Sequence, residues 1–503
     1  MAGSEKSLLP GVLLVNPPVT ARDRYGDFPS EGSCLPPLGI AGLAAAVREA
    51  SIPVEILDAP ALGLGEDESL RRVLASRFRY VGFSATTMSI ASAASLARRV
   101  SEAGTERVVL CGGTHMNAAP DRTMRRYPFL DYGFVGEAED SLVEFLRAEP
   151  GRRPGASGAE KVDGLLFRDG DAVLATGLRP GLRDMDRLPF PAWDLLPHLP
   201  DHYRPAPNSY KALPTGSIVT SRGCPEKCAF CDTSVAGVRI RGFSPRYMVE
   251  MIREMQARYG IREIIFHDDV FTLYRKRCVE FCEMVIAEGL RFSFSCISRV
   301  DRVDPELLAL LAAAGCWQIA YGIESGSPRM LEFLKKGTTL DQVRTALSWT
   351  RKAGIRTRGY VMLGVPTETP ETIRQTIEFI QGIDLDDFHC SYFTPMPGTA
   401  LATEARRFGE YEDDWAKMSG WVPLFVPWGL AAEDLERAHR RMFREFYFRP
   451  RVVFRYMRNL ARPRVFAKQA AAGLKLLKYT SGSLSNGRAG GERKAVPVPS
   501  DGC

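Results

Sequence analysis

No apolar run in this 503-residue sequence approaches the roughly 18 residues that a helix needs to cross a bilayer. The 11 cysteines are few for this length and odd in number, which excludes the disulfide framework of a small secreted protein. The first residues carry only one short apolar run, at 12–15, so we expect no signal peptide. Walker A motifs, GxGxxG motifs and internal repeats are also absent. Reduced thiols favour a cytoplasmic protein.

The composition is that of a globular protein, with 45% hydrophobic and 25% charged residues and a formal net charge of +6. A chain of this length usually forms two or three domains. Changes in composition and periodicity divide it into residues 1–148, a linker at 149–213, residues 214–408, a basic segment at 409–479 and a tail at 480–503. Because the tail is rich in Gly, Ser, Pro and charge, it is predicted to be disordered.

Three cysteines lie within eight residues in the stretch Ser221-Arg-Gly-Cys224-Pro-Glu-Lys-Cys228-Ala-Phe-Cys231. Three thiolates can bind three irons of a 4Fe-4S cluster and leave the fourth iron open to a ligand that is not protein. A structural zinc site is one alternative, but it needs four ligands and no second Cys or His pair follows nearby. Buried structural thiols are the other alternative.

Residues 11 to about 148 alternate short β-branched runs with helical patterns, which predicts a doubly wound α/β domain. The runs predicted as buried parallel strands are residues 12–15, 54–57, 81–83, 108–110 and 132–135. Ligands of such domains bind at the carboxyl ends of the strands. The loops at these ends supply the candidate binding residues Asn16, Pro17, Ser84, Thr86, Gly112, Gly113, His115, Gly136 and Glu137, and the loop from Asp58 to Gly63.

Residues 214 to about 408 repeat a strand followed by a helix. Strands are predicted at residues 217–220, 263–266, 292–297, 317–323, 359–363 and 388–393. Six βα units predict a partial parallel barrel with its site at the carboxyl ends of the strands. The cysteine loop follows the first strand and is therefore expected at this mouth. Other strand ends supply the candidates Asp269, Arg299, Glu324 and Gly364.

The spacing of the cysteines, with Phe230 just before the third, resembles the signature of the radical S-adenosylmethionine (SAM) superfamily. The strand-end loops ahead of it resemble the cobalamin-binding domain of the cobalamin-dependent members. The resemblance implies a 4Fe-4S cluster on Cys224, Cys228 and Cys231, SAM on the open iron, and cobalamin as a further cofactor. It also implies a Rossmann-like cobalamin-binding domain, a (β/α)6 radical SAM barrel and a helical C-terminal segment.

One loop departs from the cobalamin pattern. The motif D-x-H-x-x-G supplies a His ligand to cobalt, whereas Pro60 stands between Asp58 and Gly63 at the position of that His. Because proline has no ligating atom, we expect base-off cobalamin with no lower His ligand from this position. His115 is the nearest other imidazole, and hydrogen bonding to a ligand or to the backbone is the alternative interpretation.

Family positions imply how SAM is held. Glu324 would bind the ribose or amino group, Arg299 the carboxylate, and the backbone near Gly364 the adenine. A guanidinium matches a carboxylate with two hydrogen bonds, and a carboxylate accepts from ammonium or hydroxyl groups. The alternative is that Arg299 and Glu324 pair with other side chains. Asp269 has a competing role as the cap of the following helix.

The function implied by the resemblance is methyl transfer to an unactivated carbon of a small molecule through a 5′-deoxyadenosyl radical, with methylcobalamin as methyl donor. The substrate would be a natural product, a lipid or a tetrapyrrole-like compound. A flavodoxin or ferredoxin would supply electrons, and no nucleic-acid partner is expected. The alternative is a radical SAM cyclase, oxidase or ring-rearranging enzyme, resembling the anaerobic magnesium-protoporphyrin ester cyclase, in which no methyl group is transferred.

Each remaining feature has a structural interpretation as well as a functional one. The basic, aromatic stretch at 437–478 would suit contact with a membrane surface or an anionic substrate, and a solvated helix face is the alternative. Trp415, Trp421, Phe425 and Trp428 could cover a substrate or pack against the barrel. Cys316 could be a second catalytic thiol, and Cys278 and Cys282 could form a metal pair, but all three are predicted to be buried structural thiols.

Overall fold

The computed structural model describes residues 8–20, 33–104, 106–152, 158–206, 209–457 and 479. The tail at 480–503 and the basic stretch at 458–478 lie outside these residues, so the predictions made for them stay predictions. None of the helices in the described ranges combines the length and hydropathy that a bilayer span requires.

The first domain is built on one twisted sheet with a hairpin at its edge. Its strands are β1 Leu9–Asn16, β2 Val54–Asp58, β3 Phe78–Ser84, β4 Val108–Gly112, β5 Tyr132–Phe134, β6 Leu165–Asp169 and β7 Ala172–Ala175. Among the described residues the spatial order is β2-β1-β3-β4-β5-β6-β7. The first five strands pair in parallel, as predicted. The antiparallel pairing of β5 with β6 adds the linker hairpin to this sheet.

Helices cover both faces of the first sheet. They are α1 Leu38–Glu49, α2 Glu66–Ala75, α3 Ile90–Glu102, α4 Thr114–Ala118, α5 Pro120–Arg126 and α6 Glu139–Ala148. Alternate residues of β1 bury into different cores, since Leu13 and Val15 pack on one side while Val12 and Leu14 pack on the other. A strand with both faces buried needs the continuous apolar run seen in the sequence, which confirms the doubly wound domain.

The second domain is an open barrel. Its strands are β8 Thr215–Ile218, β11 Glu263–Phe266, β12 Ser293–Ser298, β13 Cys316–Glu324, β14 Arg356–Leu363 and β15 Asp387–Tyr392. All neighbouring strands are parallel, and their order in the described chain is β15-β14-β13-β12-β11-β8. This order is the predicted partial (β/α)6 barrel, with its open side between the first and the last strand.

The barrel helices begin at strong capping positions. They are α8 Pro245–Tyr259, α9 Arg275–Ala287, α10 Pro305–Ala313, α11 Pro328–Phe333, α12 Leu340–Lys352 and α13 Pro370–Gly382, and a short α7, Leu199–His202, precedes them in the linker. The side chains of Ser244, Asp304 and Thr369 accept hydrogen bonds from the first turns of their helices, each followed by proline. Cys278 and Cys282 on α9 and Cys316 at the start of β13 are buried, in agreement with their predicted structural role.

Two small strand pairs and three helices complete the described chain. The pairs are β9 Ser221–Arg222 with β10 Arg241–Gly242, and β16 Gly409–Tyr411 with β17 Phe425–Pro427; the helices are α14 Ala400–Glu404, α15 Ala432–Tyr447 and α16 Pro450–Met457. The basic face of α15 is paired internally, with Arg437, Arg440 and Arg441 bound to acidic residues of the same helix. This pairing favours the solvated helix face over membrane contact for the described part of the basic segment.

The segment 409–428, named here the strap, joins the two domains. The fully buried Trp415 packs edge-on against His115 of the first domain, with 4.3 Å between ring centroids. The Arg122 and Arg126 guanidinium groups lie 4.6 and 5.0 Å from the same indole ring. At the other end, Phe425 packs edge-on against Phe393 behind β15, at 5.3 Å. The four aromatic residues therefore do not form one patch, because Trp415 anchors the strap in the first domain.

Replacing this anchor should weaken the union of the domains. We expect Trp415→Ala to lower the free energy of unfolding by roughly 3–5 kcal/mol, the usual loss when a buried large aromatic side chain is truncated. Trp428→Ala is the control, since the Trp428 ring is half-buried and its indole bonds the Arg407 carbonyl at 2.8 Å. Urea unfolding followed by tryptophan fluorescence and by far-ultraviolet circular dichroism measures both variants. Equal losses for the two would contradict the anchoring role.

Candidate active site

The cysteine loop begins and ends on the β9–β10 pair, in which Arg222 is the register partner of Arg241. Gly223 takes φ +92°, and a Cβ atom there would overlap the carbonyl oxygen of Arg239. Only glycine fits this position. The Cys224 N–H then donates to the Gly237 carbonyl at 3.2 Å. The first cysteine is thus held by a closed turn at the base of the loop.

A buried acid fixes the chain that leads into this loop. The Asp268 carboxylate, at the end of β11, accepts from the backbone N–H and the hydroxyl of Thr220 and from the hydroxyl of Ser221, at 2.5–2.6 Å. Arg277 donates to the Thr220 and Phe243 carbonyls at 2.8 Å. These bonds hold β9 and β10 at the barrel mouth, so Asp268 has a structural part there.

The three cysteines of the loop are free thiols. Cys224 and Cys228 are half-buried and Cys231 is exposed. Ala229, between them, donates to the Leu334 carbonyl at 3.0 Å and accepts from Leu401 at 3.1 Å, which ties the loop to two barrel elements. Across the described ranges no group of three or more His, Cys, Asp or Glu side chains converges as ligands of a single metal ion do.

Arg299 lies beside the loop, at the end of β12. Its guanidinium donates two hydrogen bonds of 3.0 Å to Asp301 and lies 3.4 Å from Glu226, which is itself between Cys224 and Cys228. Its Nη1 atom is 3.9 Å from the Cys228 sulfur. The assignment of Arg299 to the SAM carboxylate stays a prediction, but two carboxylates already occupy this guanidinium.

Glu324 forms a buried ion pair, as the alternative interpretation expects, with a partner that the sequence did not indicate. Its Oε1 atom accepts from the Lys336 ammonium at 2.7 Å, and both side chains are more than nine-tenths buried. A register shift between β13 and β14 at this point and a φ of +65° at Glu324 turn the carboxylate toward the mouth. Gly322 leaves the space, because a Cβ atom there would collide with both charged groups.

The cations around the loop act on its thiols. A hydrogen bond from Cys231, and the charges of Lys336 and Arg299, lower the pKa of Cys228 to about 7. Burial alone would lower the pKa of Lys336, but Glu324 outweighs it and the pKa is raised, so Lys336 stays charged. Lys336 also lies over the Phe230 ring, 5.9 Å from its centroid. This environment favours the thiolate of Cys228, whereas burial raises the pKa of Cys224 and the hydrogen bond to Cys228 raises that of Cys231.

Gly364 follows β14, and its N–H is already bound. It donates to Glu368 Oε2 at 2.5 Å, as does Val365 at 3.3 Å. Glu368 is fully buried, its Oε1 atom has no hydrogen-bond partner among the described residues, and burial raises its pKa to about 8. The proposed contact of Gly364 with adenine stays a prediction; the observed role of Glu368 is to fix this turn.

Asp269 stands at the mouth with an exposed side chain. The surrounding protein partly desolvates this carboxylate although solvent reaches the side chain, and this desolvation, with a smaller effect of Asp268, raises its pKa. It caps no helix of the described chain, because α9 begins at Arg275 without a side-chain cap. Asp269 thus remains available to a ligand at the mouth.

In the strand-end loops of the first domain, some candidate residues form hydrogen bonds within the protein, and others are partly exposed to solvent. Asp58 accepts from Asn16 at 2.8 Å and from the Tyr203 hydroxyl at 2.6 Å, so Asn16 supports the loop that carries Pro60; Pro17 is buried. Thr86 bonds Ser89 at the start of α3. Gly113 sits so close to Ala85 and Ser84 that any Cβ atom would overlap Ala85, whereas a Cβ atom at Gly112 would be in ordinary contact with Phe134. Ser84 and Gly112 are partly exposed at the strand ends, and Thr86 is exposed beside them.

His115 lies away from that edge. Its ring is completely buried, its Nδ1 atom is 3.1 Å from the Thr87 hydroxyl, and its face meets Trp415 of the strap. Burial, together with the charges of Arg122 and Arg126, lowers its pKa to about 4, so the ring is neutral. The imidazole bonds a side-chain hydroxyl of its own domain, so binding of His115 to cobalt and its hydrogen bonding to a ligand or to the backbone both stay predictions.

Glu137 joins the two domains instead of lining an open edge. Its carboxylate accepts two hydrogen bonds from Arg241, at 2.6 and 2.9 Å, and lies 3.3 Å from Arg222. Arg222 also donates to Glu139 at 2.6 Å. The neighbouring Gly136, with φ +79°, donates to the Asn117 side chain at 2.6 Å. The end of β5 is thereby attached to the base of the cysteine loop.

Sequence reasoning missed Lys336, Glu226, Arg222, Arg241 and Glu139. Two of them carried a local signal, since Glu226 lies between the cysteines and Arg222 lies two residues before Cys224. Glu139 lies two residues after the candidate Glu137, whereas Lys336 and Arg241 had no local signal, because only the fold brings them to the mouth.

The donor set fits the implied groups. Three free thiols beside two cations suit a thiolate-bound cluster, whose sulfurs carry negative charge. In the loop at the end of β2, Asp58 is occupied by two donors and Pro60 offers no ligand, which fits a corrinoid that takes no lower ligand from this loop.

Comparisons with known proteins agree with this arrangement. A family model described as the radical SAM superfamily matches residues 218–380, and one described as the B12 binding domain matches residues 30–146. An uncharacterized methyltransferase of Pyrococcus horikoshii is 32% identical over 453 residues, covering 88% of this chain and 94% of that protein. The anaerobic magnesium-protoporphyrin IX monomethyl ester cyclase of Cereibacter sphaeroides is 28% identical over 426 residues, covering 84% and 68%.

A solved structure shares the fold. It is the radical SAM methyltransferase TsrM from Kitasatospora setae, with cobalamin and a 4Fe-4S cluster bound. The TM-score is 0.63 at 20% identity, with 78% of this chain and 77% of that chain covered. At this identity the likeness speaks for the fold and for no residue of the site.

Iron content tests the cysteine assignment. We expect Cys224→Ala, Cys228→Ala and Cys231→Ala each to lose bound iron and sulfide after anaerobic reconstitution, because each removes a thiolate that no neighbour replaces. Cys316→Ala, a buried thiol at the opposite end of the barrel strands, is the matched control and should keep both. Full iron content in any of the three variants would contradict the assignment of that cysteine.

Proposed function

Because the chain belongs to the radical SAM superfamily and carries its B12-binding domain, we propose that this enzyme transfers a methyl group to an unactivated carbon of a small molecule. The chemistry supplied by the cluster and cobalamin, when bound, is the one-electron cleavage of SAM and the delivery of the methyl group. The substrate is a natural product, a lipid or a tetrapyrrole-like compound. The observation that carries the proposal is the junction of the strand ends of one domain with the cysteine loop of the other.

The residues at the mouth divide the work of binding. Cys224, Cys228 and Cys231 hold the cluster. Arg299, neutralised by Asp301 and Glu226, fixes the loop and directs one N–H toward the Cys228 sulfur. Because these two carboxylates already balance the charge of the guanidinium, it would attract a further carboxylate only weakly. A second cation at the mouth is therefore better suited to SAM.

Lys336 and Glu324 supply that second cation together with an anion. The methionine part of SAM is a zwitterion, and the pair offers one charge of each sign 2.7 Å apart beside Cys228. Binding exchanges one buried ion pair for two, in which Lys336 receives the carboxylate and Glu324 the ammonium group. No buried charge is left uncompensated, which is the condition under which such an exchange is favourable.

Lys336→Met should weaken SAM binding by roughly 10- to 100-fold, since a hydrogen bond to a charged group contributes about 1.5–3 kcal/mol. Lys335→Met is the matched control, because Lys335 is adjacent and exposed. Calorimetric titration of cluster-loaded protein with SAM gives both affinities. If the unpaired Glu324 prevents Lys336→Met from folding, the double variant with Glu324→Gln restores neutrality, and it must bind SAM more weakly than Glu324→Gln alone. Unchanged affinity in Lys336→Met, or an equal loss in the control, would contradict the assignment.

The reaction itself is tested with reconstituted protein, SAM, a strong reductant and cobalamin under anaerobic conditions. The expected product is 5′-deoxyadenosine, formed at a rate that depends on the cluster. Cys228→Ala, which has no cluster, is the control. Absence of 5′-deoxyadenosine together with no retained cobalamin would overturn the proposal.

A second function is kept because a cyclase is among the relatives. The magnesium-protoporphyrin ester cyclase match covers 84% of this chain, and such an enzyme would use the same mouth without transferring a methyl group. The mass of the product relative to the substrate distinguishes the two functions. A gain of one CH₂ supports methylation, and an unchanged mass or the mass of an oxidised product supports cyclisation. An external electron donor of the flavodoxin or ferredoxin type belongs to both proposals.

A further inference from the structure

Four charged side chains, three of them about nine-tenths buried, link the two domains next to the cysteine loop, and we propose that they set the distance between the two cofactor sites. The group, named here the bridge, consists of Glu137, Glu139, Arg222 and Arg241. It acts as a set of positioning residues, and the inference rests on the proposed function, in which both cofactors share one cleft. Its role is separate from binding either cofactor.

Glu137 is the centre of the bridge. Its two oxygens accept from both terminal nitrogens of Arg241, a planar arrangement that fixes direction as well as distance. The same carboxylate accepts from the Leu182 N–H in the linker at 3.1 Å. One side chain thus joins the end of β5, the linker and the base of the cysteine loop.

The bridge lies at the end of a stiff path to the first cysteine. Arg241 bonds the Ala236 carbonyl inside the loop at 2.9 Å. From Arg222 the chain reaches Cys224 through Gly223, whose turn leaves no room for a Cβ atom. A displacement of Arg222 relative to β5 is therefore carried to Cys224 rather than absorbed between them. On the other side, Gly136 precedes Glu137 at the strand end predicted to face cobalamin.

The burial and charge balance of the bridge favour a role in fixing the relative position of the domains over a role in holding them together. The side chains of Glu137, Glu139 and Arg241 are at most 10% exposed, and the bridge is electrically balanced, with two acids and two arginines. Burial alone would raise the pKa of Glu137, but Arg241 and Arg222 outweigh it and the pKa is lowered, so the charge persists. Buried ion pairs seldom add net stability compared with apolar packing, whereas they impose geometry. Adhesion between the domains is already provided by the strap, through Trp415.

The bridge can be tested by magnetic resonance without knowledge of the substrate. Protein carrying the reduced cluster and cob(II)alamin contains two paramagnetic centres, whose separation governs spin relaxation of the cobalt signal. In the parent protein we expect a single narrow distribution of distances between the cluster and cobalt. In Glu137→Gln and Arg241→Lys we expect this distribution to broaden and the relaxation enhancement of the cobalt signal to fall, at unchanged iron and cobalt content. Arg241→Lys retains the positive charge but not the two-point contact.

Glu68→Gln is the matched control. Glu68 also pairs with two arginines of the first domain, Arg71 and Arg72, but on the exposed surface of α2. It should leave the separation unchanged. If Glu137→Gln does not purify as folded protein, Arg241→Lys decides the question.

Two outcomes overturn different statements. A parent protein that never holds both cofactors would overturn the proposed function and the bridge with it. A parent protein that holds both, beside folded bridge variants with the same narrow separation, would overturn the bridge alone.

Discussion

The ion pairs of Glu137 with Arg241 and Arg222 are the constraint on which the site depends. The first sheet and the barrel are built largely on separate cores, so their mutual arrangement depends on attachments between them. In the described chain these attachments include the strap, the linker, whose Leu188 carbonyl accepts from Tyr247 of α8, and the bridge, which joins β5 to the cysteine loop. The attachment beside the cysteines is charged and directional, and it is the one that the chemistry of two cofactors requires.

The mouth of the barrel follows the same principle of balanced buried charge. Arg299 is compensated by Asp301 and Glu226, and Lys336 by Glu324, before any ligand is present. The two cations nevertheless differ in what they can offer. Arg299 is held by two carboxylates in a fixed plane, whereas Lys336 has one partner and a flexible stem, so it can follow a charged ligand.

The sequence was sufficient for the strands and the cysteine loop because both are local signals. Apolar runs such as residues 12–15 and 108–110 predict strands wherever they occur, and three cysteines in eight residues need no tertiary information. The charge partners were not predictable in this way. Glu137 and Arg241 are 104 positions apart, and Lys336 reaches Glu324 only because α11 turns the chain back over the mouth. Trp415 was predicted to cover a substrate or to pack against the barrel. Its packing into the first domain was not predictable for the same reason, because its partner His115 is distant in sequence.

The central claim is that one chain holds a cluster and a corrinoid in the same cleft at the same time. The most direct measurement is the iron, sulfide and cobalt content of a single reconstituted preparation, with native mass spectrometry of the intact chain. The account predicts four irons and one cobalt per chain in one species. Separate populations, each carrying only one of the two groups, would contradict it.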